Sequence, residues 1–481
     1  MDPREVDAAL DLIAAEAKRY LAGVGERPLR TQNADEAADS FQGSLPEEGG
    51  GALEPLRKLV EDGPYASIAS AGGRFFHFVI GGVTPAALAA DWFASALDQN
   101  SAAWVTSPLG TRLELVTIDW LKDLFRLPQE WGGVLTTGAT MANFVCLAAA
   151  RRWWGERHGV DVDERGLAGL PPPPVFSSGY LHSSSYKSLG MLGIGRETVR
   201  ILSRDGVGRL DLRALRDALS TLDGAPAILV GNAGEVNAGD FDPIADLADL
   251  AEEHGAWLHV DGAFGLFARL SPRTSHLVEG VERAHSATAD GHKWLNVPHD
   301  CGFAFLRDAA PLPGIFGVTA AYLPGLEEPR PTLAYSAPEG SRRSRSFATW
   351  ATLRAYGRRG YREMVERHLD LAQRLAARID QEPDLERLAD VPLNIVCFRY
   401  RPEGVGEEAL DALNASLGEA VLTDGRVYVG TTRYEGRVAF RPAIVNWLTG
   451  PEDVDLLVEV IKELGAGLAA QSRIKTASYP A

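Results

Sequence analysis

The sequence predicts an α/β fold with a mostly parallel sheet covered by helices in a large domain, and two observations indicate it. From about residue 85, helical stretches alternate with short apolar runs: GVL at 133, VFSS at 175, AILVG at 227, AWLHV at 256 and CGFAFL at 301. This alternation is typical of parallel strands that are buried on both faces and joined by crossover helices.

The segment from 242 to 260 is the second observation, because it contains a helix and the strand that follows it. Asp242-Pro243 opens the helix, apolar residues at 244, 247 and 250 share one face, and Gly255 ends it. The apolar run from Trp257 to Val260 follows directly. This order predicts half of a crossover unit.

The same criteria divide the chain into three parts. Residues 1–84 predict an N-terminal helical arm that packs on a partner, and residues 85–360 predict the large domain. Residues 361–481 hold a long amphipathic helix, strand-like LNIVCF, VYVG and RVAFR, and a final helix from about 451. They predict a small C-terminal α/β domain.

Composition argues against several kinds of partner. The formal charge of −17 disfavours nucleic acid, which binds clustered Lys and Arg. The three cysteines lack any CxxC pair, so we expect no metal site, no disulfide framework and a reducing compartment. The first helix is acidic, unlike a signal peptide, and uncharged apolar runs stay well below the roughly 18 residues that span a bilayer. We therefore expect a cytoplasmic protein without a membrane partner.

Polar side chains follow four of the apolar runs, where open α/β sheets bind ligands. Ala139 and Thr140 begin a helix whose free N–H groups suit a phosphate. His182 follows a second run, Asp261 a third, and Lys293 lies beside a fourth. Taken singly, each has an ordinary alternative: a capped helix, a loop hydrogen bond or a surface lysine.

Together, the four segments match the needs of one cofactor, pyridoxal 5′-phosphate (PLP). It requires a helix N-terminus for its phosphate, an aromatic ring to stack on its own, an acid for its ring nitrogen and an amine for its aldehyde. An ionised Asp261 would keep the ring nitrogen protonated, so that the ring accepts electrons from a bond broken at the substrate's α-carbon. The sequence therefore predicts a PLP enzyme that acts on an amino acid.

Four motifs in this order resemble the group II PLP-dependent decarboxylases, which include the aromatic-L-amino-acid, histidine and glutamate decarboxylases. They are LTTGATMANFVCLAAAR (135–151), LHSSSYKSLGMLGIG (181–195), HVDGAF (259–264) and ADGHKWLNVPHDCG (289–302). The resemblance covers nearly the whole chain. It implies the type I aminotransferase fold, a homodimer with active sites at the subunit interface, and loss of carbon dioxide from an L-amino acid to leave an amine.

The resemblance also implies roles for individual residues. Lys293 would form the Schiff base with PLP, His182 would stack on its ring, and Asp261 would pair with the ring nitrogen, with Ala263 packed beneath the ring. The phosphate would be held by a further group of residues, in which Asp290 places a neighbouring donor: Ala139, Thr140, Asp290 and His292.

On the substrate side, the segment GRFFHFV (73–79) resembles that of the family and implies contacts from Phe76, His77 and Phe78. Ala102 stands where animal aromatic decarboxylases carry a bulky aromatic residue. The implied pocket is roomy and apolar, which allows aromatic or branched aliphatic side chains without choosing between them. We expect an aromatic substrate, with a branched aliphatic one as the alternative. Tyr322 resembles the mobile-loop tyrosine that delivers a proton after carbon dioxide leaves.

Departures from the family pattern keep three alternatives open. Family members without the loop tyrosine consume oxygen and release an aldehyde, and Tyr322 argues against that outcome. Glu235 replaces the usual threonine and Ala238 a common hydroxyl residue, which keeps open a basic or amine-bearing substrate and lyase or aldolase chemistry. A catalytically silent binding protein on an inherited fold is the third, opposed by the intact set of Lys293, Asp261 and His182.

Overall fold

The structure is a computed structural model of the chain, and it describes residues 2–318, 320, 321, 323, 325 and 329–477. The chain forms two compact units. The central unit contains Val83–Asp370 and Val391–Ile395, and the terminal unit contains Met1–Gly82, Leu371–Asp390 and Val396–Ala481. The division into arm, large domain and small domain stays a prediction.

The described residues of the central unit form a sheet of seven strands in the order β1-β7-β6-β5-β4-β2-β3. Strands β2 to β6 run parallel, and β7 is antiparallel to its neighbours β1 and β6. The mostly parallel sheet predicted from the alternating pattern is thus confirmed. The strands are β1 (Gly132–Thr136), β2 (Val175–Ser177), β3 (Val199–Ile201), β4 (Ile228–Asn232), β5 (Trp257–Asp261), β6 (Ser286–Asp290) and β7 (Gly302–Leu306).

Helices surround this sheet. They include the helix that the sequence predicted directly before strand β5. The helix begins at Ile244, buries Ile244, Leu247 and Leu250, and is followed by β5 after Gly255, whose φ is +61°. The helices that begin in the central unit are α4 (Pro85–Leu97), α5 (Pro108–Phe125), α6 (Ala139–Arg157), α7 (Val162–Arg165), α8 (Ser183–Met191), α9 (Leu212–Ser220), α10 (Ile244–Glu253), α11 (Leu312–Phe316) and α12 (Ser346–Gln381). Helix α12 has a non-helical residue, Gly357, and continues past Leu371 into the terminal unit.

The terminal unit has an antiparallel sheet of its own, in the order β10-β11-β9-β8 among the described residues. Its strands are β8 (Leu385–Arg387), β9 (Phe398–Tyr400), β10 (Thr431–Tyr434) and β11 (Arg437–Phe440). Its helices are α1 (Val6–Ala22), α2 (Ala34–Asp39), α3 (Leu53–Ala66), α13 (Glu407–Asp424) and α14 (Pro451–Ala477). Short 3-10 helices complete the described chain, at Pro3–Glu5 in this unit and at Gly265–Leu270, Ser275–Val278, Val281–Arg283 and Leu333–Tyr335 in the central unit.

Strand β6 differs from the other central strands because its sequence, SATAD, is small and polar, yet all five residues are buried. Its hydroxyl groups are hydrogen-bonded inside the protein: Ser286 contacts Trp257 and His259, and Thr288 contacts Asn143. Apolar patterning cannot indicate a strand whose burial is made possible by internal hydrogen bonds. Over the stretches of chain that the structure describes, no helix combines the length and the apolar character needed to cross a membrane.

Candidate active site

A cavity of about 280 Å³ lies at the carboxyl ends of β1, β4, β5 and β6. The four strands point the same way, so the residues that follow them converge on one edge of the sheet. All eight residues that the sequence assigned to the cofactor line this cavity: Ala139, Thr140, His182, Asp261, Ala263, Asp290, His292 and Lys293.

The first residues of α6 form one end of the cavity. Gly138 precedes the helix with φ of +148°, and a Cβ there would come within 3.1 Å of the His292 ring. The Ala139 N–H donates to Asp290 Oδ1 at 2.7 Å. Asp290 therefore holds the donor beside it, while burial lowers the pKa of His292 and favours its neutral ring.

Asp261 is the last residue of β5 and is buried. Its Oδ2 accepts hydrogen bonds from Asn143 Nδ2 at 2.7 Å and Ser185 Oγ at 3.3 Å. Burial opposes its ionisation, but nearby His182 and Lys293 and the Asn143 bond outweigh it, so the pKa of Asp261 lies below its ordinary value. The cavity thus contains a carboxylate that stays ionised.

Lys293 and His182 supply the amine and the aromatic ring. Lys293 Nζ lies 3.2 Å from Asp290 Oδ2 and 5.9 Å from the centre of the Phe264 ring. His182 caps α8, where its Nδ1 accepts from the Ser184 N–H at 3.2 Å. Its side chain is exposed and lines the cavity, so one face of the ring is available for stacking.

Comparison with known proteins decides the family. Residues 67–401 match the pyridoxal-dependent decarboxylase conserved domain. The chain belongs to the pyridoxal-dependent decarboxylase family. It is a PLP-dependent amino-acid decarboxylase, as its motifs predicted.

Relatives and solved structures agree with this assignment. The decarboxylase is 28% identical to the aromatic-L-amino-acid decarboxylase of Bacillus atrophaeus, over 81% of this chain and 80% of that protein. It is 29% identical to the phenylacetaldehyde synthase of Arabidopsis thaliana, over 81% of each. A crystal structure of Oryza sativa TDC with PLP and tryptamine superposes with a TM-score of 0.89 and 26% identity, over 97% of this chain and 99% of that one. The type I fold expected from the sequence is confirmed.

The cavity fits PLP on its own geometry. A helix N-terminus whose first N–H group donates to Asp290, an ionised buried acid, an exposed imidazole and an amine face one space. Gly138 leaves room at the helix end that a side chain would fill. Residues 139, 140 and 292 would hold the phosphate, Asp261 the ring nitrogen and Lys293 the aldehyde carbon.

The residues predicted to contact the substrate belong to both units. Phe76, His77 and Phe78 lie in the terminal unit, and Ala102 lies in the central unit. Phe76 is fully buried, whereas Phe78 is 60% exposed with φ of +53°. The His77 ring packs 3.6 Å from that of Phe78, and burial together with Arg441 lowers the pKa of His77 to about 4. Their contact with substrate stays a prediction.

Two other predictions concern Tyr322 and Glu235. Tyr322 lies outside the described residues, so its role stays a prediction. Glu235 is buried, and its two oxygens accept hydrogen bonds from the N–H groups of Asn237 and Ala238, each at 2.8 Å. The Glu235 carboxylate, which replaces the family threonine, therefore accepts hydrogen bonds from the backbone of the turn that contains it.

The residues behind Asp261 were not predicted from the sequence. Asn143 on α6 and His259 on β5 are both fully buried and lie next to each other, with His259 Nε2 2.8 Å from Asn143 Oδ1. A signal for His259 was present, because residues two apart on a strand share one face and His259 lies two before Asp261. Asn143 is the polar position on a helix stretch that is otherwise buried and mainly apolar.

Proposed function

We propose that this decarboxylase removes carbon dioxide from an L-amino acid with an aromatic side chain and releases the amine, using PLP attached to Lys293. The observation that supports this most is the convergence of Lys293, Asp261 and His182 on one cavity. The same convergence argues against a silent binding protein, because binding alone requires neither the amine nor the ionised acid.

Each residue has one task in the proposed mechanism. When bound, PLP accepts the electron pair released as the bond between the α-carbon and the carboxylate breaks. Asp261 would hold the proton on the ring nitrogen, Lys293 would hold the cofactor through its aldehyde carbon until the substrate amine replaces it, and the His182 ring would orient the cofactor face. Tyr322 would supply the proton that the α-carbon takes up.

An aromatic substrate is favoured by two observations. The small side chain of Ala102 would leave space, and the two relatives named above act on an aromatic amino acid or form an aromatic aldehyde, although others are named for acidic amino acids or L-2,4-diaminobutyrate. A branched aliphatic substrate is the alternative that an apolar pocket admits. Glu235 has no role in this proposal; its oxygens accept hydrogen bonds from the N–H groups of Asn237 and Ala238.

A product screen tests the proposal. The PLP-loaded enzyme is incubated with each common L-amino acid, while amine, aldehyde and oxygen are followed together by mass spectrometry and an oxygen electrode. We expect an aromatic amine, one carbon dioxide per amine and no oxygen uptake. Failure to release carbon dioxide from any amino acid would refute the proposal, and a branched aliphatic amine as main product would correct the substrate class.

Aldehyde synthesis is the second candidate, favoured by the similarity to the Arabidopsis phenylacetaldehyde synthase. The screen separates the two candidates, since an aldehyde product with oxygen uptake requires the second. A Tyr322→Phe variant sharpens the test: we expect it to lose amine formation and gain aldehyde, and unchanged amine production at the normal rate would remove the role proposed for Tyr322.

We also propose a homodimer that shares its active sites. Apolar side chains are exposed on one helix of each unit: Val6, Leu10 and Leu21 on α1, and Trp92, Phe93 and Leu97 on α4. Exposed apolar helix faces mark surfaces that pack on a partner. Sedimentation of Leu10→Glu should show a larger monomer fraction, with Ala15→Glu on another face of α1 as the control, and equal dimer in both variants would count against this surface.

The proposal of a cytoplasmic location rests on cysteines that form no disulfide. Cys146 and Cys301 are buried free cysteines, which suits a reducing compartment. Cell fractionation of the natural host with an antibody against this chain tests the location.

A further inference from the structure

A chain of buried side chains leads from Trp257 to Asp261 inside the central unit. Trp257 Nε1 donates to Ser286 Oγ at 3.2 Å, and Ser286 Oγ lies 2.9 Å from His259 Nδ1. His259 Nε2 lies 2.8 Å from Asn143 Oδ1, and Asn143 Nδ2 donates to Asp261 Oδ2 at 2.7 Å. The five side chains come from α6, β5 and β6, and each residue is at most 7% exposed.

The carboxylate end of this chain and a neutral His259 ring together determine the direction of its hydrogen bonds. An ionised carboxylate can only accept, so Asn143 turns its NH₂ toward Asp261 and its oxygen toward His259, which carries a proton on Nε2. In the neutral ring, His259 Nδ1 then accepts the hydroxyl hydrogen of Ser286, whose oxygen accepts from the Trp257 indole. Burial lowers the pKa of His259 to about 4, which agrees with a neutral ring that accepts at Nδ1.

The last bond distinguishes the two oxygens of Asp261. Oδ2 accepts the short bond from Asn143, whereas Oδ1 has longer contacts with the Ala263 N–H at 3.3 Å and Thr288 Oγ1 at 3.4 Å. The single hydroxyl hydrogen of Thr288 also has Asn143 Oδ1 within reach at 3.2 Å, so when Thr288 donates there the amide oxygen has a second donor besides His259. An amide held in this way cannot turn its oxygen toward the carboxylate without losing these bonds.

We infer that Trp257, Ser286, His259 and Asn143 form a directed hydrogen-bond chain that positions Asp261 for the ring nitrogen of PLP, with Asn143 as the positioning residue that donates last. The inference rests on the proposed role of Asp261. In this arrangement Asp261 Oδ2 accepts the hydrogen bond from Asn143, and Asp261 Oδ1 is the oxygen that contacts the cofactor. The titratable groups that face Asp261 are His182, His259 and Lys293.

The test replaces Asn143, the last donor of the chain, with aspartate, which has the same shape but a carboxylate that accepts hydrogen bonds. In Asn143→Asp a carboxylate faces Asp261, so we expect PLP to bind at least about tenfold more weakly and the pH midpoint of its visible absorption to move by about one unit, which is the same free energy. Equilibrium dialysis and spectral pH titration measure these. Asn414→Asp is the matched control, because Asn414 is a fully buried amide whose side chain bonds the Tyr400 backbone in the terminal unit.

A second pair of variants keeps the inference testable if Asn143→Asp does not fold. His259→Leu removes the donor to Asn143 and should weaken PLP binding and shift the spectrum in the same direction, while His259→Gln, which can donate and accept, should restore both at least in part. Folding of each variant is checked by circular dichroism without PLP.

The outcomes separate this inference from the proposed function. The inference is overturned if folded Asn143→Asp, or His259→Leu where the former does not fold, keeps the wild-type affinity and spectrum. It is also overturned if Asn414→Asp changes them equally. An Asp261→Asn variant with an unaltered PLP spectrum would instead refute the role of Asp261 in the proposed function.

Discussion

Asp261 and Asp242 are two buried carboxylates of the central unit with nearly the same hydrogen-bond donors and opposite pKa shifts. Asp261 accepts from an asparagine side chain at 2.7 Å and a serine at 3.3 Å, and Asp242 accepts from the Asn232 side chain at 2.8 Å and Ser178 at 2.9 Å. Yet the pKa of Asp261 lies below its ordinary value, whereas burial raises that of Asp242 to about 6.

The surroundings explain the difference. His182, His259 and Lys293 face Asp261, while the neighbour of Asp242 is a second acid, Asp240. In addition, Oδ1 of Asp242 has no hydrogen-bond partner among the described residues. Hydrogen bonds orient a buried carboxylate, but nearby charge decides whether it stays ionised. The cavity residues therefore serve two purposes, since the groups that would bind PLP also keep Asp261 charged.

The largest expected effect comes from Lys293→Ala, which removes both the amine and a charge that favours ionised Asp261. We expect activity to fall by at least about a thousandfold, as for other covalent catalytic groups. Borohydride treatment followed by mass spectrometry of the denatured chain should detect PLP on the wild type and none on the variant. Unchanged labelling would place the attachment on another lysine.

The matched pair Asp261→Asn and Asp242→Asn tests the comparison directly. Each variant removes one charge and keeps the side-chain shape. We expect Asp261→Asn to lose about a hundredfold in kcat, a magnitude typical of lost electrostatic stabilisation in an active site, and Asp242→Asn to stay within about fivefold. Equal losses in the two variants would contradict the distinction between a functional and a structural carboxylate.

The smallest effect concerns stability and its dependence on pH. The folded pKa of Asp242 is about 6 against an ordinary value of 3.8, so protonation stabilises the folded state, and this contribution is lost as pH rises through about 6. As the pH rises from 4 to 7, the melting temperature of Asp242→Asn should therefore increase relative to that of the wild type. The corresponding change in the difference in unfolding free energy is on the order of 1–3 kcal/mol.

The exposed Asp246 provides the control for that measurement, since it lies four residues after Asp242, in the first turn of α10. Asp246→Asn should show no comparable rise relative to wild type over the same range. A constant difference between Asp242→Asn and wild type at all pH values would show that Asp242 is already charged throughout the range.

Most of the central sheet could be predicted from the sequence, because β1, β2, β4, β5 and β7 contain apolar residues that are buried on both faces. The strand predicted at LNIVCF was displaced: β9 begins at Phe398, where that run ends. Strand β6 could not be recognised, since its burial depends on partners that are distant in sequence, such as Asn143 for Thr288. Local patterning has no access to such pairs.

The sequence alone indicated the family, the cofactor and eight of the residues that line the cavity, because each motif carries its chemistry within a few consecutive residues. Only the tertiary structure decided which groups surround them. Asn143 and Asp261 are 118 residues apart, and nothing local to either indicates the 2.7 Å bond between them. The ionisation of Asp261 depends on burial and on charges from other segments, which arise only when the chain is folded.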